Sequence, residues 1–194
     1  MGQYFANESL NSHLVKHEVK IFNRLYYFYT DNGVFSKSKM DYGSRFLLET
    51  VCTKIHSGKV LDVGCGYGTL GICIAKECGS AVDMIDINKR ALHLAKRNAK
   101  ENHVTCNIYE SNVYENVHEK YNYIITNPPI RAGKKIVYEI LCHAKDHLEV
   151  EGVLFFVIRK NHGAKSILSD LEKIYDCNVL DKSNGFFVIE AKKR

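Results

Sequence analysis

Residues 60–71, which read VLDVGCGYGTLG, decide the fold class of this chain. The apolar residues 60–63 are typical of a buried strand, and glycines at alternate positions are typical of a tight turn that leads into a helix. Glycine is needed where the backbone turns sharply or approaches a ligand with no Cβ in the way. The first turn of the helix then offers unpaired N–H groups and the positive end of the helix dipole. The stretch therefore predicts a strand, a ligand-binding loop and a helix, in that order.

Strand and helix patterns alternate from this stretch to the C-terminus, as they do in sheets whose parallel strands are joined by helices. The predicted strands are 60–63, 81–85, 104–109, 121–126, 153–158, 178–181 and 186–190, and the predicted helices are 70–78, 88–101, 136–148 and 164–175. Asn88 is the predicted N-cap of the second helix. Asn184-Gly185 predicts a hairpin turn, so the last strand should run antiparallel to its neighbour. The pattern predicts an α/β Rossmann-like fold with a seven-stranded, mostly parallel sheet.

The N-terminal residues carry a different pattern. Residues 17–22 and 25–30 predict a β-hairpin, with Asn23-Arg24 as its turn. Residues 41–55 have apolar side chains at helical spacing and predict a helix. Because no repeat or linker interrupts the chain, we expect residues 1–194 to form a single domain, with residues 1–40 as a β extension.

Composition and charge narrow the class of protein. Of the 194 residues, 45% are hydrophobic and 25% are charged, which is the balance of an ordinary globular protein. No apolar run approaches the ~18 residues of a membrane span, and residues 1–10 lack a signal-peptide pattern. The cysteines are odd in number and have no C-x-x-C spacing, so we expect a cytoplasmic location without a disulfide framework. A net charge of +5 permits a nucleic-acid partner without requiring one.

Two acidic residues at strand ends indicate what the glycine loop binds. Asp86 ends the strand after the loop, where a carboxylate can accept both hydroxyls of a ribose. Gly66, Gly68 and Gly71 also satisfy the G-x-G-x-x-G pattern of dinucleotide-binding loops, so a nicotinamide cofactor stays open. S-adenosylmethionine has no phosphate but carries an ammonium group, and Asp62 is placed to supply the opposing charge. The two acids favour S-adenosylmethionine, with a turn that binds no ligand as the remaining alternative.

The only two prolines of the chain are adjacent, in the segment Asn127-Pro128-Pro129 directly after a buried strand. Proline fixes φ and lacks an N–H, so the pair ends the strand in a stiff corner. Ligands of open α/β sheets bind beyond the carboxyl ends of the strands, so Asn127 should point toward the cofactor. An exocyclic base amine must be held through its two N–H groups while its nitrogen attacks the methyl group. The Asn127 side-chain oxygen and the Pro128 carbonyl are two suitable acceptors, which makes both residues candidate catalytic residues.

Taken in order, these segments resemble class I methyltransferases of the small-domain group, and most closely the ribosomal RNA guanine-N2 methyltransferases of the RsmC type. The resemblance covers residues 33–192 and is carried by residues 33–36, 41–44, 60–68, 86–88, 111–113 and 127–129. It implies that S-adenosylmethionine is the cofactor. The donor-binding residues that it implies, together with those argued above, are Asp62, Gly64, Gly66, Gly68, Asp86, Ile87, Asn112, Val113 and Asn127.

The sequence departs from this family at two points. Many amine methyltransferases have an aromatic residue after Asn-Pro-Pro that stacks on the base, whereas this chain has Ile130, which leaves Phe35 as a candidate for stacking. Enzymes of the RsmC type also carry an additional, degenerate N-terminal copy of the domain, and this chain resembles their catalytic half. The candidate acceptor-binding residues are Pro129, Ile130, Arg131, Phe35 and Lys37.

Basic residues follow several of the predicted strands and should lie on one rim beyond the carboxyl edge of the sheet. They are Arg131, Lys134, Lys135, Lys37, Lys39, Arg159 and Lys160. Cations around a base pocket would bind phosphates, although solvated surface charge is the alternative. His143 and His147 lie four residues apart on a predicted helix, but no third ligand is placed near them, so we expect no metal site.

The predicted function is methyl transfer from S-adenosylmethionine to the exocyclic N2 of a guanine in RNA. Ribosomal RNA or a ribosomal subunit is the expected partner, and a monomer or weak homodimer is the expected assembly. A target base inside a helix would have to be flipped out to reach the site. The alternatives are another base, a protein side chain or a small metabolite as acceptor, a nicotinamide oxidoreductase, and a non-catalytic RNA-binding module that keeps the fold.

Overall fold

The first elements that the structure describes form a two-stranded antiparallel hairpin, β1 (Val15–Ile21) and β2 (Arg24–Thr30). The structure is a computed structural model, and it describes residues 13–32 and 40–194. The hairpin turn consists of Phe22 and Asn23, both with positive φ (48° and 65°). A two-residue turn that matches the twist of the strands needs positive φ at both positions. The prediction of Asn23-Arg24 as the turn was therefore wrong by one residue, because Arg24 already pairs with Ile21.

The central sheet has seven strands, of which six are parallel to one another. They are β3 (Lys59–Val63), β4 (Ala81–Asp86), β5 (Asn107–Glu110), β6 (Tyr121–Thr126), β7 (Leu148–Arg159), β8 (Tyr175–Ser183) and β9 (Phe186–Lys193). Their order across the sheet is β5-β4-β3-β6-β7-β9-β8, and β9 is antiparallel to both of its neighbours. The turn between β8 and β9 is formed by Asn184-Gly185, both with positive φ. The predicted Rossmann-like sheet is confirmed.

In the part of the chain that the structure describes, five α-helices cover the two faces of this sheet. They are α1 (Tyr42–Val51), α2 (Thr69–Cys78), α3 (Lys89–Glu101), α4 (Lys134–His143) and α5 (Ala164–Leu171). The apolar faces of α1, α2 and α3 pack into one core with the hairpin, while α4 and α5 pack into a second core on the other face. Residues 153–158 of β7 lie in the middle of the sheet and are buried on both sides, and this stretch is accordingly apolar throughout.

Some predicted boundaries were wrong where polar residues continue a strand or an apolar pattern runs past the end of a helix. Strand β7 begins at Leu148 instead of residue 153. Its start was missed because the exposed residues there lack the apolar pattern of its second half. Helix α4 ends at His143 and is followed by a 3-10 turn, Ala144–His147, and α5 ends at Leu171 instead of residue 175. Strand β5 begins at Asn107 instead of residue 104, and α1 ends at Val51 instead of residue 55.

Helix α3 binds the hairpin through two asparagines one turn apart. Asn98 accepts a hydrogen bond from the N–H of Tyr29 (2.7 Å) and donates one to its carbonyl (3.0 Å). Asn102 forms the same pair of bonds with Tyr27 (3.0 and 2.7 Å). The amide side chains thus satisfy backbone groups on the free edge of β2, as a neighbouring strand would. The hairpin is thereby fixed against the helix that follows β4.

Strands β3 and β6 are neighbours at the centre of the sheet, and the chain order runs outward from them in opposite directions. This is the topological switch point, beyond whose carboxyl edge ligands of open α/β sheets bind. The glycine loop follows β3 and the Asn-Pro-Pro segment follows β6, so the fold brings the two strongest sequence motifs to the same crevice. Of the helices that the structure describes, none combines the length and the apolar character needed to cross a membrane.

Candidate active site

The glycine loop is held in a tight turn by backbone hydrogen bonds to the next strand. The N–H groups of Gly64 and Cys65 both donate to the carbonyl of Ile85, at 2.9 Å. Gly64 and Gly66 have positive φ (71° and 57°), a backbone conformation that residues other than glycine rarely adopt. No heavy atom lies within 4 Å of the position that a Cβ on Gly66 would take. The loop therefore turns a backbone surface without side chains toward open space.

The remaining two glycines of the motif are required by packing. A Cβ on Gly68 would lie 2.9 Å from the Ile72 side chain and 3.3 Å from the Cβ of Ala95, and Gly68 has a φ of 94°. A Cβ on Gly71 would lie 2.3 Å from the sulfur of Met84 in β4. Gly68 and Gly71 thus let α2 pack closely against α3 and the sheet.

Asp62 lies beneath the glycine loop and is 1% exposed. Its Oδ2 accepts a hydrogen bond from the N–H of Gly71 at 2.9 Å, whereas its Oδ1 is buried without a hydrogen-bond partner among the described residues. Burial raises the pKa of Asp62 to about 7; the Gly71 N–H acts in the opposite direction and the charge of Asp86 in the same one. An unpartnered buried carboxylate oxygen favours a nearby cationic group.

Asp86 ends β4 and closes the other side of the loop. Its Oδ2 accepts from the N–H of Gly66 and its Oδ1 from the N–H of Asn88, both at 2.8 Å. Burial raises the pKa of this carboxyl, although backbone N–H groups oppose the shift. Each carboxylate oxygen has two lone pairs, so both keep the capacity to accept a further hydrogen bond from a ligand hydroxyl.

A cavity of about 400 Å³ opens between the glycine loop and the Asn-Pro-Pro segment. Eleven of the residues predicted for the site line it: Gly64, Gly66, Asp86, Ile87, Asn112, Val113, Asn127, Pro128, Pro129, Ile130 and Arg131. Asp62 and Gly68 do not line it, since one is buried below the loop and the other packs against α3. Phe35 and Lys37 lie outside the described residues. The donor-side and acceptor-side predictions thus meet around one space.

The side chain of Asn127 is fixed by two residues from the start of α1. Its Nδ2 donates to Asp41 Oδ2 at 2.8 Å and to Ser44 Oγ at 2.9 Å. Asp41 is also the N-cap of α1, where its Oδ2 accepts from the N–H of Ser44 at 3.0 Å. Because both hydrogens of the amide are engaged, its oxygen is oriented as an acceptor. The sequence prediction quoted residues 41–44 as a family motif but missed this role, although Asp-x-x-Ser is a recognisable N-cap signal.

Phe186 is a second lining residue that the sequence prediction missed. It begins β9, and because β9 is antiparallel, its first residue lies at the carboxyl edge of the parallel strands. The Arg159 guanidinium lies 4.6 Å from the centre of its ring, and the ring of Tyr42 lies 5.5 Å away. Both Phe186 and Arg159 line the cavity. The Asn-Gly hairpin signal was sufficient to place this strand end, but no sequence pattern distinguishes the phenylalanine as a lining residue.

The predicted basic rim is found where the structure describes it. Arg131 and Arg159 line the cavity, and Lys134, Lys135 and Lys160 are exposed beside it. Lys37 and Lys39 lie outside the described residues. Within residues 13–32 and 40–194, no three histidine, cysteine or acidic side chains come together in a way that could hold a metal ion.

The sheet order, the glycine loop at the switch point and the cavity beside Asn-Pro-Pro define the Rossmann-like fold of class I methyltransferases. The chain belongs to the methyltransferase small-domain family, whose model matches residues 25–190.

Relatives of known sequence support this membership. The chain is 38% identical to the protein YbxB of Bacillus subtilis (strain 168) over the full length of both chains. It is 36% identical over 166 residues to the ribosomal RNA small subunit methyltransferase C of Vibrio parahaemolyticus. The matched region covers 83% of this chain and 48% of that relative. The chain therefore spans about half the length of the methyltransferase C relatives.

Solved structures agree with the sequence comparison. The 16S rRNA N2 G1207 methyltransferase RsmC of T. thermophilus, in complex with AdoMet and guanosine, has a TM-score of 0.86 and 26% identity, and the match covers 95% of this chain and 52% of that one. A ribosomal protein L11 methylase from Lactobacillus delbrueckii subsp. bulgaricus has a TM-score of 0.67 and 19% identity, over 81% of this chain and 83% of that one. At 19% identity, the match to the L11 methylase shows only that the fold is shared.

The residues around the cavity fit S-adenosylmethionine in three respects. The unpartnered Asp62 oxygen offers negative charge below the loop, as the ammonium of the amino-acid end requires. Gly64 and Gly66 leave backbone exposed for close approach, and Asp86 retains acceptor capacity for ribose hydroxyls. A dinucleotide would instead place a pyrophosphate, with its negative charge, near the buried acid Asp62. The site chemistry thus favours the methyl donor over a nicotinamide cofactor.

Proposed function

We propose that this protein transfers a methyl group from S-adenosylmethionine to the exocyclic N2 of a guanine in ribosomal RNA. The observation that carries the proposal is the orientation of Asn127, whose amide hydrogens are bound by Asp41 and Ser44 and whose oxygen is thereby available to an incoming amine. The relatives named as ribosomal RNA methyltransferases and the structural neighbour bound to AdoMet and guanosine support the choice of donor and acceptor.

The donor side of the proposed site consists of the glycine loop and the ends of the next two strands. The residues proposed to hold S-adenosylmethionine are Asp62, Gly64, Gly66, Gly68, Asp86, Ile87, Asn112 and Val113. Of these, Asp62 and Gly68 do not line the cavity and support its wall from behind. When bound, the donor supplies an electrophilic sulfonium methyl. The role of these residues is to orient that methyl toward the Asn-Pro-Pro segment, because an in-line displacement depends mainly on positioning.

The acceptor side is proposed to hold the amine through two hydrogen-bond acceptors, the Asn127 oxygen and the Pro128 carbonyl. Both acceptors would stabilise the positive charge that develops on the nitrogen, so a strong general base is not needed for the transfer itself. Pro129, Ile130 and Arg131 line the same side of the cavity. Ile130 cannot stack on a base as an aromatic residue would, but the Phe186 ring lies in the cavity lining and offers an aromatic surface.

The first experiment is a calorimetric titration of the purified protein with S-adenosylhomocysteine and, separately, with NADH. Micromolar binding of the first and no binding of the second is the expected result. The reverse result would overturn the assignment of the glycine loop. Binding of neither, together with RNA binding, would favour a non-catalytic module.

The second experiment measures transfer of labelled methyl to ribosomal RNA that lacks its native methylations. Replacing Asn127 with Ala is expected to lower turnover about 100-fold, because one of the two acceptors that align the amine is lost. The affinity for S-adenosylhomocysteine should change far less. Wild-type turnover in Asn127→Ala would refute the role of this side chain, and label on a protein or a small metabolite instead of RNA would change the acceptor class.

A further inference from the structure

Two cysteines from different helices are in direct contact at the side of the molecule away from the cavity. The Sγ atoms of Cys52 and Cys78 lie 3.2 Å apart, and both side chains are half-buried. Cys52 immediately follows α1 and Cys78 is the last residue of α2. The five other cysteines are free as well. A disulfide bond requires the two sulfurs to approach by only about 1 Å more.

We propose that Cys52 and Cys78 are a reversible oxidation site, at which a peroxide joins the C-terminal ends of α1 and α2 by a disulfide bond. The proposal rests on the contact between the two thiols and on their partial exposure. It does not depend on the proposed methyltransferase function. It is compatible with an otherwise reducing compartment, because such a bond forms under oxidant and is removed by thiols.

The two thiols have complementary roles in the reaction. A hydrogen bond from Cys52 lowers the pKa of the Cys78 thiol, against the effect of burial, and the same contact and then burial raise the pKa of Cys52. In the proposed reaction Cys78 is the nucleophile: its thiolate attacks one oxygen of hydrogen peroxide, and hydroxide leaves to give a sulfenic acid. The sulfur of Cys52 then attacks the Cys78 sulfur, loses its proton and expels the second hydroxide. In total, two thiols and one hydrogen peroxide give one disulfide and two waters.

The site lies at the opposite ends of the two helices from the cavity. Helix α1 begins at the residues that hold Asn127, and α2 begins at the glycine loop, whereas the cysteines lie where both helices end. Neither cysteine lines the cavity. The bond should therefore stabilise the fold by restricting the unfolded chain and leave ligand binding in the cavity unchanged.

The test is to treat the reduced full-length protein with hydrogen peroxide, block the remaining thiols with N-ethylmaleimide and digest with trypsin. The chain is favourable for this, because cleavage gives peptides 46–54 and 77–89, each with one cysteine. The expected product is these two peptides joined, two hydrogens lighter than their sum, and converted back by dithiothreitol. The melting temperature of the oxidised protein should rise by about 5–10 °C, with unchanged affinity for S-adenosylhomocysteine.

Three variants make the result specific. Cys52→Ser and Cys78→Ser should each abolish both the joined peptides and the rise in melting temperature. Cys142→Ser, which removes another half-buried cysteine, should retain both effects. Recovery of peptides 46–54 and 77–89 as separate N-ethylmaleimide adducts after excess peroxide would overturn the proposal, and so would oxidation of Cys78 to a sulfinic acid without any joined product.

Discussion

The side chain of Asn127 has a defined orientation because two oxygens at the start of α1 accept its amide hydrogens. An asparagine amide is nearly symmetric in shape, and only its hydrogen bonds decide which end faces a ligand. Ser44 Oγ accepts one of these bonds at 2.9 Å, and we propose no contact between Ser44 and the amine. Ser44 is therefore a positioning residue, and its replacement should lower turnover more than it lowers donor affinity.

Replacing Ser44 with Ala is expected to lower kcat about 3- to 10-fold, which corresponds to one neutral hydrogen bond. The N-cap of α1 is kept, because Asp41 accepts from the backbone N–H of residue 44 and not from the hydroxyl. Labelled-methyl transfer measures kcat and KM, and calorimetry measures donor affinity, which should be unchanged. Ser166→Ala, which removes an exposed serine from α5, is the matched control. A loss confined to KM, or none at all, would contradict the positioning role.

Asp62 should make both stability and donor binding depend on pH. Its pKa is raised by burial to about 7, above its unfolded value of 3.8, so the stability that it contributes is full below pH 3.8 and is lost as the pH rises through 7. Donor binding should follow the opposite trend, because the ammonium group favours the charged carboxylate. Affinity for S-adenosylhomocysteine is thus expected to increase between pH 6 and pH 8.

Asp62→Asn isolates this effect, because an asparagine can still accept the N–H of Gly71. In chemical denaturation at pH 4 to 8, the variant should lose less stability with rising pH than the wild type. In calorimetry over the same range, its affinity for S-adenosylhomocysteine should be weaker and nearly independent of pH. Parallel pH profiles for the two proteins would show that Asp62 does not titrate in this range.

At the level of elements, α3 joins the N-terminal hairpin to the glycine loop. Asn98 is fully buried, and besides its two bonds to Tyr29 it donates to the carbonyl of Tyr67 at 2.8 Å. Asn102 binds Tyr27 in the same way, and its other bond is to the carbonyl of Asn98 in its own helix. The two asparagines therefore support the hairpin alike, but only Asn98 contacts the loop.

Asn98→Ala and Asn102→Ala form a matched pair of variants. Each leaves backbone groups of β2 without their partner, so each should lower the melting temperature by about 5–10 °C. Only Asn98→Ala should also weaken binding of S-adenosylhomocysteine, because the Tyr67 carbonyl loses a hydrogen bond. Thermal denaturation and calorimetry measure the two effects separately. Equal loss of donor affinity in both variants would show that the hairpin acts on the site as a whole.

Helices and strands were predicted correctly where residues adjacent in sequence determine them. Tyr121–Thr126 and the N-cap at Asn88 were predicted correctly, because an apolar run and a capping side chain are properties of adjacent residues. The first half of β7 was missed, since residues 149–151 are exposed and its pairing with β6 is confined to Leu148 opposite Tyr121, before the register shifts. Such pairing depends on residues distant in sequence and leaves no pattern in the strand itself.

At the level of the whole molecule, the fold and the location of the cavity were predictable because topology imposes them. Once strands and helices alternate, parallel pairing and right-handed crossovers place the glycine loop and the Asn-Pro-Pro corner at one edge. The contacts of Asn127 with Asp41 and Ser44 span more than 80 residues, and no sequence spacing indicates them. The position of Phe186 in the cavity likewise depends on the tertiary packing of β9.

The basic side chains are distributed over both edges of the sheet, and we expect only one of these groups to bind RNA. One group of exposed basic residues follows β6 at the edge where the cavity opens and consists of Arg131, Lys134 and Lys135. A second group precedes β3, β6 and β7 at the opposite edge and consists of Lys54, Lys120 and Lys145. Cations that contact phosphates release counterions on binding, and this makes affinity fall with salt in proportion to their number. If RNA lies across the cavity, only the first group should contribute to that dependence.

Two triple variants that lose the same charge test this expectation. In the first, Gln replaces Arg131, Lys134 and Lys135. In the second, Gln replaces Lys54, Lys120 and Lys145. RNA affinity is measured by fluorescence anisotropy from 50 to 300 mM salt. The first variant should bind more weakly, and the slope of log affinity against log salt should become shallower by about 2. The second should keep the slope of the wild type. An equal change in both would mean that net charge alone attracts RNA, and the edge that carries the cavity would then have no special part in binding it.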